Sequence, residues 1–116
     1  MLELYWEDID DKPYHIADLN KKNNIYTLDI LETELKAAIK KGCMGIGNID
    51  FLKNRYESEE LFSFFKQRIP QEDNMYIKEI LSRYDMKDYD EYDLLKNTLG
   101  KSMTDRYYLL LKEENQ

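Results

Sequence analysis

Leu2, Leu4 and Trp6 alternate with Glu3, Tyr5 and Glu7 at the start of the chain, the two-residue period of a strand with one buried face. Residues 14–19 follow the rule less cleanly, with His15, Ala17 and Leu19 set against Tyr14, Ile16 and Asp18. A third short run covers residues 25–28. Between the runs stand Asp8-Ile9-Asp10-Asp11-Lys12-Pro13 and Asn20-Lys21-Lys22-Asn23-Asn24. Clusters of this kind form turns, because Asx side chains bond their own backbone and proline presets φ. An antiparallel meander is expected.

From Asp29 the spacing becomes helical. Asp29 followed by Glu32 fits a capping box, and Leu31, Leu35 and Ile39 recur every four residues. Lys40 and Lys41 suit the negative end of the helix dipole, and Gly42 supplies a left-handed stop. Residues 43–54 hold no sustained period and read as loop with room for a short strand. Ser58 is expected to cap a helix over residues 59–68, acids in its first turn and bases in its last. Pro70 ends it, since the ring disfavours helical geometry in the residue before. Two more helices are predicted, about 74–84 and 90–99, with Gly100 as stop; residues 105–112 read as a last strand. The expected fold is α+β, one domain over 1–116: a small antiparallel sheet, meander plus C-terminal strand, packed on three to four helices. Phe62, Phe65, Ile77, Leu81, Leu94, Leu95 and Leu99 are the expected helical core.

Composition narrows the function. The 116 residues carry 17 basic and 24 acidic side chains, a net charge of −7. Gripping nucleic acid by phosphate neutralisation needs a concentrated basic face, and adhesion to an anionic membrane needs the same sign. No apolar stretch approaches a membrane span, and the first residues are too acidic for a secretion signal. A lone cysteine, Cys43, forms no internal disulfide and suits a reducing cytoplasm.

Five features invite chemistry or contact. Asp8, Asp10 and Asp11 suggest calcium, but an EF-hand loop needs a central glycine and a terminal glutamate, and those positions hold Pro13 and Leu19. Gly42, Gly45 and Gly47 follow a helix instead of opening one, so a helix stop and tight loop are expected in place of a phosphate cradle. One histidine, His15, and one cysteine make no zinc set of the usual Cys/His kind; a Cys–His nucleophilic pair needs one of each, but no nucleophile motif surrounds Cys43. Five acids against one lysine in residues 85–93 form a solvated run or an acidic docking surface. Ten tyrosines include Tyr84, Tyr89, Tyr92, Tyr107 and Tyr108 near the end, a residue type enriched where proteins meet. No catalytic constellation, metal set or cofactor site is expected.

Leu61, Phe62, Phe64, Phe65, Ile69 and Pro70 spell an aromatic helix closed by proline; Ile77, Ile80, Leu81 and Tyr84 follow, then Tyr92, Asp93, Leu94, Leu95 and Gly100, and the ending SMTDRYYL. In this order and spacing the stretch resembles the small N-terminal subdomain of HipA-type serine/threonine kinases, the toxins of bacterial toxin–antitoxin systems. The resemblance covers about half the chain. A kinase needs a phosphate-binding loop, a metal-binding aspartate and a catalytic aspartate, none of which is recognisable here. The resemblance therefore implies a stand-alone counterpart of that subdomain: a non-enzymatic, cytoplasmic, antitoxin-like protein that binds and modulates a separate HipA-like kinase, within a complex that can include a DNA-binding antitoxin. Split antitoxins carry a "LPEGW"-like segment whose tryptophan points toward the kinase; here the segment is Ile69-Pro70-Gln71-Glu72-Asp73, without tryptophan. The expected contact surface is Pro70, Gln71, Glu72, Asp73 and Asn74, joined by Gly45, Gly47 and Asn48. A different reading uses the charge: an acidic domain can mimic DNA and fill the basic groove of a nucleic-acid-binding protein.

Overall fold

In the computed structural model, residues 1–50, 52–100 and 105–112 are described; Ser102, Met103 and Thr104 of the terminal motif lie outside them. Strand β1 (Leu2–Glu7) buries Leu2, Leu4 and Trp6 on one face, as its alternation demands. Strands β2 (Pro13–Lys22) and β3 (Ile25–Ile30) complete the meander. Their two-residue turn holds Asn23 and Asn24 at φ 54° and 63°, the left-handed pair that matches the twist of a hairpin and that asparagine tolerates. Strand β4 (Arg55–Ser58) pairs with β3, and β5 (Tyr107–Leu111) returns to pair with β1. The order is β4-β3-β2-β1-β5, every pair antiparallel. This is the expected α+β fold.

Helices α1 (Glu32–Lys40), α2 (Ser63–Lys66), α3 (Ile77–Arg83) and α4 (Glu91–Thr98) pack on the face that carries Leu2, Leu4, Leu19 and Leu28. Phe65, Leu94 and Leu95 are fully buried there; Phe62 and Leu99 pack at the margin, Leu81 is buried outside this cluster while its neighbour Ile80 packs against it, and Ile77 is only half-buried. Ile46, from a stretch without periodicity, is also fully buried. The other face holds Glu3, Tyr5, Glu7, His15 and Asp18, all part-exposed.

Three expectations need correction. Asp29 does not cap α1; it lies in β3 opposite Asp18 and pairs with Arg55 at 2.7 Å, while Leu31 takes the cap position without a side-chain bond. Ile39 is 42 % exposed, because a four-residue step overshoots one turn by about 40° and the stripe drifts off the core; Leu35 and Ala38 are buried instead. Ser58 starts no helix: it ends β4 opposite Tyr26, its hydroxyl accepts from the Glu60 amide at 3.1 Å, and the helix is cut to Ser63–Lys66. Ladder pairing with β3 and burial of Leu61 override the helical charge pattern. Asp90, by contrast, caps α4 as expected, accepting from the amides of Tyr92 and Asp93.

Candidate functional site

The segment after α2 makes two successive turns. The Asn74 amide donates to the Gln71 carbonyl, the Ile77 amide to the Asn74 carbonyl, and the Tyr76 amide to Asn74 Oδ1. Pro70 is half-buried, its carbonyl accepting from the Tyr89 hydroxyl at 2.8 Å. Gln71, Glu72, Asp73 and Asn74 are exposed. Gln71 also closes α2, its amide donating to the carbonyls of Lys66 and Ile69 at 2.8 and 3.1 Å. Next in the chain stand Met75, 84 % exposed, and Tyr76, 57 % exposed. Sequence reasoning stopped at Asn74; the short length of α3 is what leaves these two outside the packed face.

Two clefts flank this turn. Gln71 and Glu72 line one of about 530 Å³, whose wall carries five carboxylates (Glu59, Glu60, Glu72, Asp90, Glu91) against Lys21 and Lys66. Tyr26 lines it and is 4 % exposed. Burial first, then the charges of Glu91 and Asp90, push its pKa up to about 12. Tyr89 is raised too, by burial and by Glu91, Glu72 and Asp73. The cleft thus favours positive charge.

Pro70 lines the second cleft, about 510 Å³, with Phe64, Arg68 and Tyr107. The Arg68 guanidinium lies 4.6 Å from the Phe64 ring centroid and 5.2 Å from that of Tyr107. It donates to the Gly100 carbonyl at 2.8 Å and forms an ion pair with Asp105. Arg68 therefore clasps α2 to the start of β5. The second expected segment abuts the same cleft: a Cβ on Gly47 would lie 3.2 Å from Phe64 Cβ. Gly47 and Asn48 are exposed, but Gly45 is buried and its carbonyl accepts from the Tyr107 hydroxyl, which removes it from any contact surface. Burial, then Cys43 at 3.5 Å, raises the Tyr107 pKa. Met44, 90 % exposed, is the side chain this loop offers to solvent.

Cys43 packs in the core beneath the sheet, whereas His15 stands on the opposite face, so the Cys–His pair is not assembled. Asp8 joins no ion site either: its carboxylate is consumed by the amides of Asp10 and Lys12 and the hydroxyl of Tyr14. No described helix is long and apolar enough to cross a membrane. No family model, curated protein or solved structure matches this chain.

Proposed function

We propose that this chain is a non-enzymatic accessory protein that docks on a separately encoded HipA-like kinase in the bacterial cytoplasm and modulates it, in the manner of an antitoxin. The observation that carries the reading is the turn over residues 70–76, which thrusts Met75 and Tyr76 into solvent beside Glu72 and Asp73. Methionine and tyrosine are adaptable anchors at protein interfaces. Tyr76 stands in for the tryptophan that the resembling segment lacks. The block that resembles the kinase subdomain supports the reading in a second way: Phe64 stacks edge-on against Phe65 at 5.2 Å in α2, and Phe65, Leu94 and Leu95 share one core.

Docking acts by population shift, since a partner that binds one kinase state better biases the equilibrium by its differential affinity. A roughly hundredfold change in activity needs about 2.7 kcal/mol of preference. Binding of the kinase by Tyr76→Ala and by Met75→Ala tests the surface; each is expected to weaken it about tenfold or more, or about 1.4 kcal/mol. Gln71 is left in place because it closes α2. Undiminished binding in both variants removes this surface.

The acidic cleft favours one other reading, a DNA mimic. It requires partner binding that collapses with salt and competes with duplex DNA, whereas docking through Met75 and Tyr76 tolerates salt.

A further inference from the structure

Side chains three apart in a regular strand point to opposite faces of the sheet. His15 and Asp18 do not. The β1–β2 register passes from Leu4↔Ala17 to Tyr5↔His15, leaving Ile16 as the extra residue of a bulge. That one residue reverses the phase of the strand, a known use of bulges beside functional sites. His15 and Asp18 thus emerge together on the face away from the helices, and Glu3 stands directly across from Asp18. Two facing carboxylates are unfavourable unless positive charge lies between them. The imidazole reaches both: Nε2 is 2.6 Å from Asp18 Oδ1 and Nδ1 is 3.5 Å from Glu3 Oε2.

We propose that Glu3, His15 and Asp18 form a site for a divalent transition-metal ion of the zinc class. One ligand atom from each lies within 4.8 Å of the other two. Tetrahedral bonds of about 2.0–2.2 Å place two ligands of one ion about 3.3–3.6 Å apart, so side-chain rotations of about an ångström close the set. One imidazole nitrogen with two carboxylate oxygens is a zinc-type donor set; calcium and magnesium take oxygen alone. The ligands are held before any ion arrives. His15 stacks on Tyr5 at 4.9 Å and 20°, and Tyr5 on Tyr108 at 5.5 Å and 8°. The Tyr5 hydroxyl donates to Glu3 Oε1 at 3.4 Å, leaving Oε2 toward His15. With side chains 15–25 % exposed, the ion enters from solvent and keeps at least one coordination position open. A Cys/His motif cannot reveal this set, because two of its three members are carboxylates.

The site faces away from the docking turn and stands independently of it. The test is titration of the full chain with Co²⁺ by visible absorption and with Zn²⁺ by calorimetry, the His15 ring nitrogens followed by NMR. Saturable binding of one ion per chain is expected, with the His15 signals moving in step. The shape-preserving variants Glu3→Gln and Asp18→Asn should each weaken it about tenfold or more, and Asp88→Asn, an exposed acid elsewhere, should not. Absence of saturable binding overturns the proposal, as does binding unchanged in both variants with the His15 signals unmoved.

Discussion

Asp8 is 4 % exposed, and its carboxylate organises the turn between β1 and β2. The Lys12 amide above all, with the Asp10 amide and Tyr14 hydroxyl, holds its pKa below the usual carboxylate value against the opposing effect of burial. A lowered folded pKa makes this contribution complete above the unfolded value of about 3.9 and lost as pH falls through the folded one. Asp8→Asn should therefore lower the thermal midpoint at neutral pH and flatten its fall between about pH 5 and pH 2; a parallel fall in both proteins would contradict this. Gly47 is constrained from two sides, by φ +56° and by Phe64. Gly47→Ala should cost about 1–2 kcal/mol in urea unfolding, whereas Gly42→Ala, with nothing within 4 Å of its Cβ, meets the backbone penalty without the clash.

At the scale of elements, Arg68 joins α2 to β5 through Gly100 and Asp105. Arg68→Lys keeps the charge but loses the planar fork that serves both partners. A loss of about 2 kcal/mol is expected by chemical denaturation, less than for a fully buried pair because Asp105 is about a third exposed. Truncating Phe65, fully buried in α2, should cost about 3–5 kcal/mol. The meander, α4 and the last strand were legible in the sequence because a two-residue period, an Asp cap and a leucine run are local signals. The helix expected over residues 59–68 was misread, since its acids and bases imitate dipole compensation while β4 forms only through a distant partner, β3. For the same reason the untidy alternation of β2 did not reveal its bulge: Ile16 is read as extra only once β1 is beside it. The turn proposed for docking was singled out by resemblance alone, and the exposure of Met75 and Tyr76 was not legible because nothing local says where α3 begins.

For the whole molecule, the sheet separates two surfaces of different chemistry. Helices, clefts and the exposed turn lie on one side; a stacked trio of rings with two carboxylates lies on the other. The proposed partner recognition uses the first and the proposed ion binding the second, so loss of one should leave the other intact. Expression of the chain alongside a HipA-like kinase, with recovery by affinity capture at low and high salt, bears most directly on the central claim. The expected result is a salt-tolerant complex that Tyr76→Ala weakens about tenfold or more while the variant keeps its folded circular dichroism. A kinase left uncaptured at either salt concentration, or held equally well by the Tyr76 variant, would contradict it.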